Sequence, residues 1–300
     1  MIGRALSRSS ITPLLTTAAA FTDRLWAFAT STLLRRIQIS MKVLVIDIGG
    51  THIKVASSDH PVPLKIVSGP TLTAEQMSAQ VLELTIDWHY DAITIGFPGP
   101  VVHDRPSAEP HNLGHGWVNF DFQGAFPKPV RFLNDAAMQA LGGYTGGKML
   151  FLGTGTGLGS ALIDDGHIVP LELAHLPYKK NRTYEEYIGL AGLERRGKKR
   201  WRRSVHDVVN RLRAAFIADT VLLGGGNAKL LDTLPEATVL GANSNAITGG
   251  IALWHQERRQ ESVFPSVEQP HRNQPGPGQS SSRDKKGRKS RRSKSSARER

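Results

Sequence analysis

Three glycine-rich segments of this sequence contain the residue types that bind phosphate groups. The first, D-I-G-G-T-H-I-K at residues 47–54, follows an aliphatic run that predicts a buried strand. Its paired glycines allow a tight turn whose backbone N–H groups can approach an anion closely, although a plain hairpin turn would use the same residues. Asp47, at the strand end, can hold a hydrated magnesium ion, because Mg²⁺ keeps most of its waters and needs only one or two carboxylates. The candidate phosphate-binding residues here are Gly49, Gly50, Thr51 and Lys54.

The second and third glycine-rich segments also follow predicted strands. L-G-T-G-T-G-L-G at residues 152–159 resembles a dinucleotide-binding turn, but residues 160–163 predict a strand and not the helix that such a turn requires. G-G-G-N at residues 224–227 can pass close to a nucleotide or form a simple strand-to-helix turn. The candidate phosphate-binding residues in these two segments are Gly153, Thr154, Gly155, Thr156, Gly157, Gly225 and Gly226. Repetition of the strand-to-glycine unit predicts two similar lobes with a cleft between them.

Short strands alternate with helical patterns between residues 41 and 258, which predicts an α/β fold. Residues 73–88 have apolar side chains at helical spacing, with Thr73 as a candidate N-cap and Gln76 three residues later. Asp135 precedes a predicted helix over residues 136–141, where an aspartate is a favoured cap. The strands are predicted at residues 42–48, 91–96, 148–152 and 220–223.

Seven motifs occur in a fixed order over residues 41–255, and together they resemble the ROK family of sugar kinases and repressors, in particular its polyphosphate glucokinases. They are D-I-G-G-T-H-I-K, G-F-P-G-P, H-N-L-G-H-G-W, L-N-D-A, L-G-T-G-T-G-L-G, L-E-L-A-H and L-L-G-G-G-N. The resemblance implies a two-lobed actin-like (ribonuclease H-like) fold in which sugar and phosphoryl donor meet between the lobes. It also implies a hexose substrate, with glucose phosphorylated at O6, a requirement for Mg²⁺, ATP or polyphosphate as donor, a homodimer and a cytoplasmic location.

The same resemblance assigns the site residues. Asp135 matches the family's general base, and a hydroxyl that attacks phosphorus does need a carboxylate to accept its proton. Planar amides and carboxylates form paired hydrogen bonds with sugar hydroxyls. Ala174 stands where the family usually has glycine, which places a methyl group beside the predicted hexose site and could alter substrate preference. The resemblance assigns sugar binding to Asn112, Asn134, Asp135, Glu172 and His175.

A zinc site is not expected in this chain. Many ROK proteins hold zinc with this histidine and three cysteines, but the sequence contains no cysteine. A glutamate that contacts the sugar follows the zinc loop in the family, and Glu185 matches it, with Glu186 as the alternative. We expect the shortened loop to be stiffened by three aromatic side chains, Tyr178, Tyr184 and Tyr187.

The net charge of +12 is concentrated at the two ends of the chain. Residues 1–40 carry +4 and residues 271–300 carry +9, which leaves −1 for the remainder. We therefore divide the chain into an N-terminal extension (1–40), an N-terminal lobe (41–135), a C-terminal lobe (136–258) and a disordered basic tail (259–300). The extension has the composition of a transit peptide, or else the start codon is mis-assigned and Met41 begins the protein. The tail either contacts polyanions or is a solvated extension.

Three further alternatives concern function. The basic cluster at residues 195–203, R-R-G-K-K-R-W-R-R, is either a solvated helix face or a contact surface for a polyanionic donor. Because the ROK family includes repressors, a sugar-binding regulator or an inactive protein is the alternative to an enzyme, although residues 1–40 lack the pattern of a helix-turn-helix. A kinase for another hexose or an amino sugar is the alternative with the same fold. The sequence has no apolar run long enough for a membrane helix.

Overall fold

A computed structural model describes residues 41–263 and shows an α/β protein with two five-stranded sheets. The strands are β1 (Val43–Ile48), β2 (His52–Ser57), β3 (Leu64–Val67), β4 (Ala92–Phe97), β5 (Val101–Val102), β6 (Arg105–Pro106), β7 (Val130–Asn134), β8 (Lys148–Thr154), β9 (Leu158–Asp164), β10 (His167–Leu171), β11 (Pro177–Lys179), β12 (Arg182–Thr183), β13 (Thr220–Gly224) and β14 (Thr238–Leu240). The helices are α1 (Ala74–Leu84), α2 (Phe122–Ala125), α3 (Asp135–Gly142), α4 (Glu185–Ile188), α5 (Leu190–Arg196), α6 (Lys198–Phe216) and α7 (Asn245–Val263), with a 3₁₀ turn at Ala228–Leu230.

The two sheets repeat one arrangement of strands. The first has the order β3-β2-β1-β4-β7 and the second the order β10-β9-β8-β13-β14. In each sheet the first three strands along the chain pair antiparallel with one another in sequence order. The fourth strand pairs parallel with the first, and the fifth pairs parallel with the fourth. The predicted repetition of a strand-to-glycine unit is therefore confirmed, because the first two glycine-rich segments are the β1–β2 and β8–β9 turns. The division into lobes at residue 135 stays a prediction.

Strand β1 is buried at every position, which explains why all of its residues except Asp47 are apolar (V-L-V-I-D-I). A strand at the centre of a sheet has both faces covered, so it cannot alternate between apolar and polar residues. On one face its side chains join a core that includes Trp117 and Met77, both without exposed surface. On the other face Val43 and Val45 pack against Ala246 and Ile247 of helix α7. These contacts hold the strand end that carries Asp47 in a fixed position.

Helix α7 joins the last part of the described chain to the first sheet. The Thr94 hydroxyl of β4 donates a hydrogen bond of 2.7 Å to the carbonyl of Gly250, and Trp254 Nε1 donates one of 2.9 Å to the Thr94 hydroxyl. Gly142 of α3 and Gly249 of α7 lie where the two helices cross, and a Cβ on either would overlap the backbone of the other helix. Helix α7 therefore fixes α3, and with it Asp135, against the first sheet.

Two boundaries differ from the predictions. Helix α1 has the predicted Thr73–Gln76 capping box but ends at Leu84, because Thr85 forms the C-cap and Trp88 leaves the helix to stack on His60 with ring centres 4.2 Å apart. Helix α7 continues to Val263, so residues 259–263, predicted to be disordered, are helical. The glutamine, glutamate and arginine residues there are good helix formers.

The terminal segments 1–40 and 264–300 lie outside the described residues, and so do the predictions made for them. Within residues 41–263, none of the helices is both long enough and apolar enough to cross a membrane.

Candidate functional site

A cavity of about 620 Å³ is lined by the glycine-rich segments and by most of the predicted sugar-binding residues. Its lining comes from the β1–β2 turn, the loop after β4, the start of α3, the β8–β9 turn and the segment after β10. The predicted site residues in its wall are Gly49, Gly50, Asn112, Asn134, Asp135, Gly153, Gly155, Thr156, Gly157, Glu172, His175, Glu185 and Gly225. The chain thus brings together residues that are up to 176 positions apart in the sequence, from Gly49 to Gly225.

Asp135 is the first residue of α3 and faces this cavity. Burial raises its pKa to about 6, and the negative charges of Asp47 and Glu172 add to the effect. The hydrogen bond of 2.7 Å from Ala136 N to Asp135 Oδ1 and the positive charge of Lys54 act in the opposite direction. Because only Oδ1 takes part in that bond, Oδ2 is left to accept a proton. Asp135 is therefore a carboxylate whose proton affinity is tuned close to neutral pH.

Asn134, and not Asp135, is the N-cap of α3. Its Oδ1 accepts hydrogen bonds from Ala136 N and Ala137 N, at 2.9 and 3.3 Å. Its Nδ2 donates to the carbonyl of Gly99 at 3.1 Å, which ties the start of the helix to the loop after β4. The interpretation of Asp135 as the cap is thus wrong, because the preceding amide already takes the free N–H groups. Of the groups on the Asn134 side chain, only one N–H remains for a sugar hydroxyl.

Asp47 and Lys54 lie directly opposite each other on β1 and β2. Lys54 Nζ is 2.8 Å from Asp47 Oδ2, and Asp47 is only 8% exposed. The other oxygen, Oδ1, lies 3.6 Å from the position that a Cβ on Gly96 would take, which is an ordinary van der Waals distance. Neither residue lines the cavity, but both act on the pKa of Asp135 through their charges. The pair is therefore close enough to Asp135 to influence it without forming part of the cavity wall.

The carboxylates in and near the cavity suit a hydrated magnesium ion better than a metal ion that takes all of its ligands from protein side chains. Within residues 41–263, no three His, Asp or Glu side chains are close enough together to hold a metal ion. Mg²⁺ does not need such a cluster, because it takes most of its ligands from waters and substrate phosphates. The Asp47 carboxylate, whose Oδ2 lies 2.8 Å from Lys54 Nζ, offers the hard oxygen ligand that this ion prefers, and waters and donor phosphates would supply the remaining ligands.

The second and third glycine-rich segments are bonded to each other. The hydroxyl of Thr154 is buried and donates to the carbonyl of Gly224, and its own carbonyl accepts from Asn227 N at 3.0 Å. Asn227 Nδ2 donates to the carbonyl of Gly155 at 2.9 Å. Gly225 has a φ of +84°, and a Cβ there would overlap the Thr154 backbone, so only glycine fits. The two segments therefore form one rigid wall of the cavity.

Besides Lys54, three other predicted phosphate-binding residues do not line the cavity. Thr154 uses its hydroxyl to join the two loops, as described above. Thr51 is exposed at the turn, where its carbonyl accepts a hydrogen bond of 3.0 Å from Ser68 N. Gly226 is exposed, with open space around the position of a Cβ. Their residue types fit phosphate binding, but the backbone turns them away.

Glu185 and Glu186 occupy different environments. Glu185 lines the cavity, and its Oε2 accepts a hydrogen bond of 3.1 Å from Leu158 N beside Gly157. Glu186 points elsewhere, since its carboxylate binds Arg182 at 2.8 Å and accepts from Thr183 N. Of the two predicted candidates, the geometry favours Glu185 as a ligand contact.

The three tyrosines near this glutamate do pack together. The ring of Tyr178 stacks on Tyr184 at 5.0 Å and meets the edge of Tyr187 at 4.8 Å. The Tyr178 hydroxyl also donates to Asp207 of helix α6, which anchors the β11–β12 hairpin. This packing supports the hypothesis that aromatic contacts stiffen the segment between His175 and Glu185.

Sequence reasoning did not identify Gln139 or His111, which also line the cavity. Gln139 lies four residues after Asp135, one turn along the same face of α3. Its Oε1 is 3.6 Å from the position of a Cβ on Gly224, and its amide has no hydrogen-bond partner within residues 41–255. The helical spacing from Asp135 was the signal that could have found it.

The predicted basic cluster is divided between two helices by Gly197, whose φ is +72°. Arg195 and Arg196 belong to α5, where their guanidinium groups lie 5.7 and 4.5 Å from the ring centre of Tyr187. The remaining basic residues belong to the first turns of α6. The cluster is therefore not one uniform solvated face.

No protein-family model matches this sequence, and no curated protein sequence matches it. Solved structures do share its fold. An inorganic polyphosphate/ATP-glucomannokinase from Arthrobacter sp. strain KM is 22% identical with a TM-score of 0.58, and the match covers 72% of this chain and 99% of that one. A ROK family glucokinase from Streptomyces griseus, solved with glucose and AMPPNP, is 18% identical with a TM-score of 0.58, covering 73% and 99%.

A ROK family transcriptional regulator, a homolog of the E. coli MLC protein, has the same fold at 14% identity and a TM-score of 0.55, covering 73% of this chain and 78% of the regulator. At these identities the likeness establishes the fold and not the activity. It confirms the expectation drawn from the ordered motifs: this chain has the fold of the ROK family sugar kinases.

Proposed function

We propose that this chain is a ROK family sugar kinase that transfers a phosphoryl group from ATP or polyphosphate to a hexose, with glucose as the substrate and O6 as the acceptor. The observation that supports this most is the position of Asp135. A carboxylate with a pKa of about 6 faces a cavity that also contains two rigid glycine-rich turns and a set of polar sugar-binding side chains. A base of this proton affinity is largely ionised at neutral pH yet still accepts a proton readily.

In the proposed reaction, the sugar lies between Asn112, Glu172, His175 and Glu185, with one hydroxyl directed at Asp135 Oδ2. The N–H groups of the two glycine-rich turns hold the phosphates of the donor. The sugar oxygen attacks the terminal phosphorus, the bond from that phosphorus to the bridging oxygen breaks, and the hydroxyl proton passes to Asp135. The remaining donor leaves with the bridging oxygen. When bound, Mg²⁺ neutralises the charge of the donor phosphates, and Asp47 would hold it through water.

The alternative function is sugar binding without catalysis. It is favoured by the ROK transcriptional regulator that shares this fold. The two functions differ in what Asp135 must do, because a binding protein needs its hydrogen bond but not its proton affinity. As further parts of the proposal, we expect the chain to act in the cytoplasm and to form a homodimer. Sedimentation of the purified chain tests the dimer, and a monomer at micromolar concentration would contradict it.

The experiment is an assay of the full-length protein with Mg²⁺, measuring glucose 6-phosphate formed from glucose with ATP or with polyphosphate. We expect turnover with at least one donor and a loss of at least about a thousandfold in kcat for Asp135→Asn, with glucose binding retained. Glucose binding by calorimetry with no turnover across several hexoses and both donors would instead support the regulator. Residual activity of Asp135→Asn within tenfold of the unmodified chain, about the effect of a supporting contact, would remove Asp135 as the base.

A further inference from the structure

A row of cationic side chains follows one face of helix α6, outside the cavity described above. Lys199, Arg202, Arg203 and His206 have the spacing i, i+3, i+4 and i+7, which places them on adjacent turns of one face. They line a hollow of about 420 Å³ whose other wall is formed by Asp232 and Thr233.

Two of these side chains are held by the protein and two are not. Arg202 donates from Nε to the carbonyl of Leu230 at 2.6 Å and also binds Asp232, and His206 Nε2 is 3.0 Å from the carbonyl of Thr233. Lys199 and Arg203 are exposed and have no hydrogen-bond or ion-pair partner within residues 41–255. The hollow therefore has a fixed frame and two cations available to an external anion.

The hollow is connected to the third glycine-rich segment by a very short stretch of chain. Asn227, which bonds to the second segment, is followed at once by the 3₁₀ turn Ala228–Leu230. The carbonyl at the end of that turn is the one that accepts from Arg202. A five-residue stretch of such a turn spans only about 10 Å. An anionic chain that begins at Gly225 can therefore reach the hollow along this turn.

We propose that this hollow binds the distal part of a long inorganic polyphosphate chain whose terminal phosphates occupy the cavity. The inference rests on the proposed function, because it assumes that the cavity holds the phosphoryl donor. Lys199 binds one phosphate as a point charge and the planar guanidinium of Arg203 binds the next, while Arg202 keeps the loop at residues 230–233 in place. A triphosphate has no phosphates beyond those that the cavity would hold, so we expect ATP to gain no affinity from the hollow.

Polyphosphate fits this hollow better than a nucleic acid does. Proteins that bind single-stranded nucleic acids stack the bases on exposed aromatic side chains. The six residues that line the hollow include no phenylalanine, tyrosine or tryptophan. The aromatic residue within the cationic segment, Trp201, has no exposed surface and donates its Nε1 hydrogen to the carbonyl of Ile188. Charge is available in the hollow, but a platform for bases is not.

The test compares two double variants of the full-length protein that remove equal charge. Lys199→Gln/Arg203→Gln changes the hollow. Arg105→Gln/Lys128→Gln is the matched control, because both residues are exposed, lack a partner within residues 41–255 and lie in the part of the chain with the first sheet. The Michaelis constants are measured for long-chain polyphosphate, tripolyphosphate and ATP. Binding of long-chain polyphosphate is also measured without sugar at low salt.

We expect the hollow variant to raise the KM for long-chain polyphosphate about tenfold, since each lost phosphate contact costs about threefold in affinity at low salt. Its KM values for tripolyphosphate and ATP, and all values of the control variant, should stay within about twofold of the unmodified chain. Equal effects of the two variants on long-chain polyphosphate, or an equal rise in KM for ATP, would overturn the proposal.

The binding measurement separates this proposal from the proposed function. A chain without kinase activity would still show weaker polyphosphate binding in the hollow variant than in the control if the hollow is a polyphosphate site. Single-stranded RNA that binds the unmodified chain as tightly as polyphosphate of equal charge, and loses affinity in the same variant, would assign the hollow to nucleic acid and contradict our inference.

Discussion

Replacing Asp135 with asparagine should stabilise the protein while removing its activity. Burial, with the charges of Asp47 and Glu172, raises the pKa of Asp135 from its ordinary value of 3.8 to about 6. The folded chain therefore holds this proton more tightly than the unfolded chain does. Below about pH 4 Asp135 is protonated in both the folded and the unfolded chain, so it does not lower the free energy of unfolding. As the pH rises through about 6, the carboxyl ionises in the folded chain and that free energy decreases. Since a tenfold difference in proton affinity corresponds to about 1.4 kcal/mol, the ionised carboxylate lowers the free energy of unfolding by about 3 kcal/mol at neutral pH.

Asparagine has the same shape and keeps an oxygen that can accept from Ala136 N, but it carries no charge. We expect Asp135→Asn to raise the free energy of unfolding by about 3 kcal/mol at about pH 7.5, and to change it little at about pH 4. The assay is urea unfolding of both proteins at the two pH values. Asp87→Asn is the matched control, because Asp87 is exposed and has no partner within residues 41–255. If Asp135→Asn is no more stable than the unmodified chain at about pH 7.5, the ionised carboxylate does not destabilise the folded chain, and the raised pKa of Asp135 is contradicted.

Two further predictions concern the same cavity. With Asp135 as the base, kcat/KM should decrease as the pH is lowered past about 6, and at about pH 5 it should be about tenfold lower than its plateau value. A value of kcat/KM that stays constant down to about pH 5 would contradict a base with this pKa. Glu185→Gln should raise the KM for the sugar about tenfold, since it removes a charged hydrogen-bond acceptor, whereas Glu186→Gln, which faces Arg182 outside the cavity, should leave it within about twofold. A larger effect at Glu186 in steady-state kinetics would reverse the assignment.

Local features of this fold could be predicted from the sequence because their causes are local. The largely apolar sequence of β1 reflects burial on both faces of the strand. The capping box can be recognised because a threonine is followed by a glutamine three residues later, at Thr73 and Gln76. The glycine-rich turns follow the strands as predicted. Gly225 illustrates the limit of such reasoning. The sequence predicts that its backbone lies close to a ligand, whereas in the structure it lies close to the backbone of Thr154.

Features that depend on distant parts of the chain could not be predicted. The bond between Thr94 and Gly250 joins residues 156 positions apart, and nothing in the sequence of either strand or helix indicates it. The role of Thr154 depends on where Gly224 lies, and the roles of the basic residues depend on the break at Gly197 and on the loop at residues 230–233. For Thr154 and the basic residues the sequence identified polar groups of the right type, but their partners are set by tertiary packing.

The packing of α7 on the first sheet has a consequence for synthesis of the protein on the ribosome. Strands β1 and β4 are made early, but Val45 and Thr94 receive their partners only when Gly250 and Trp254 have left the exit tunnel. Until then an apolar surface of the first sheet is uncovered, and such surfaces are prone to non-native association. The nascent chain therefore depends on helix α7 to cover strands that are made much earlier, and termination before residue 245 would release an aggregation-prone fragment in place of a smaller functional protein.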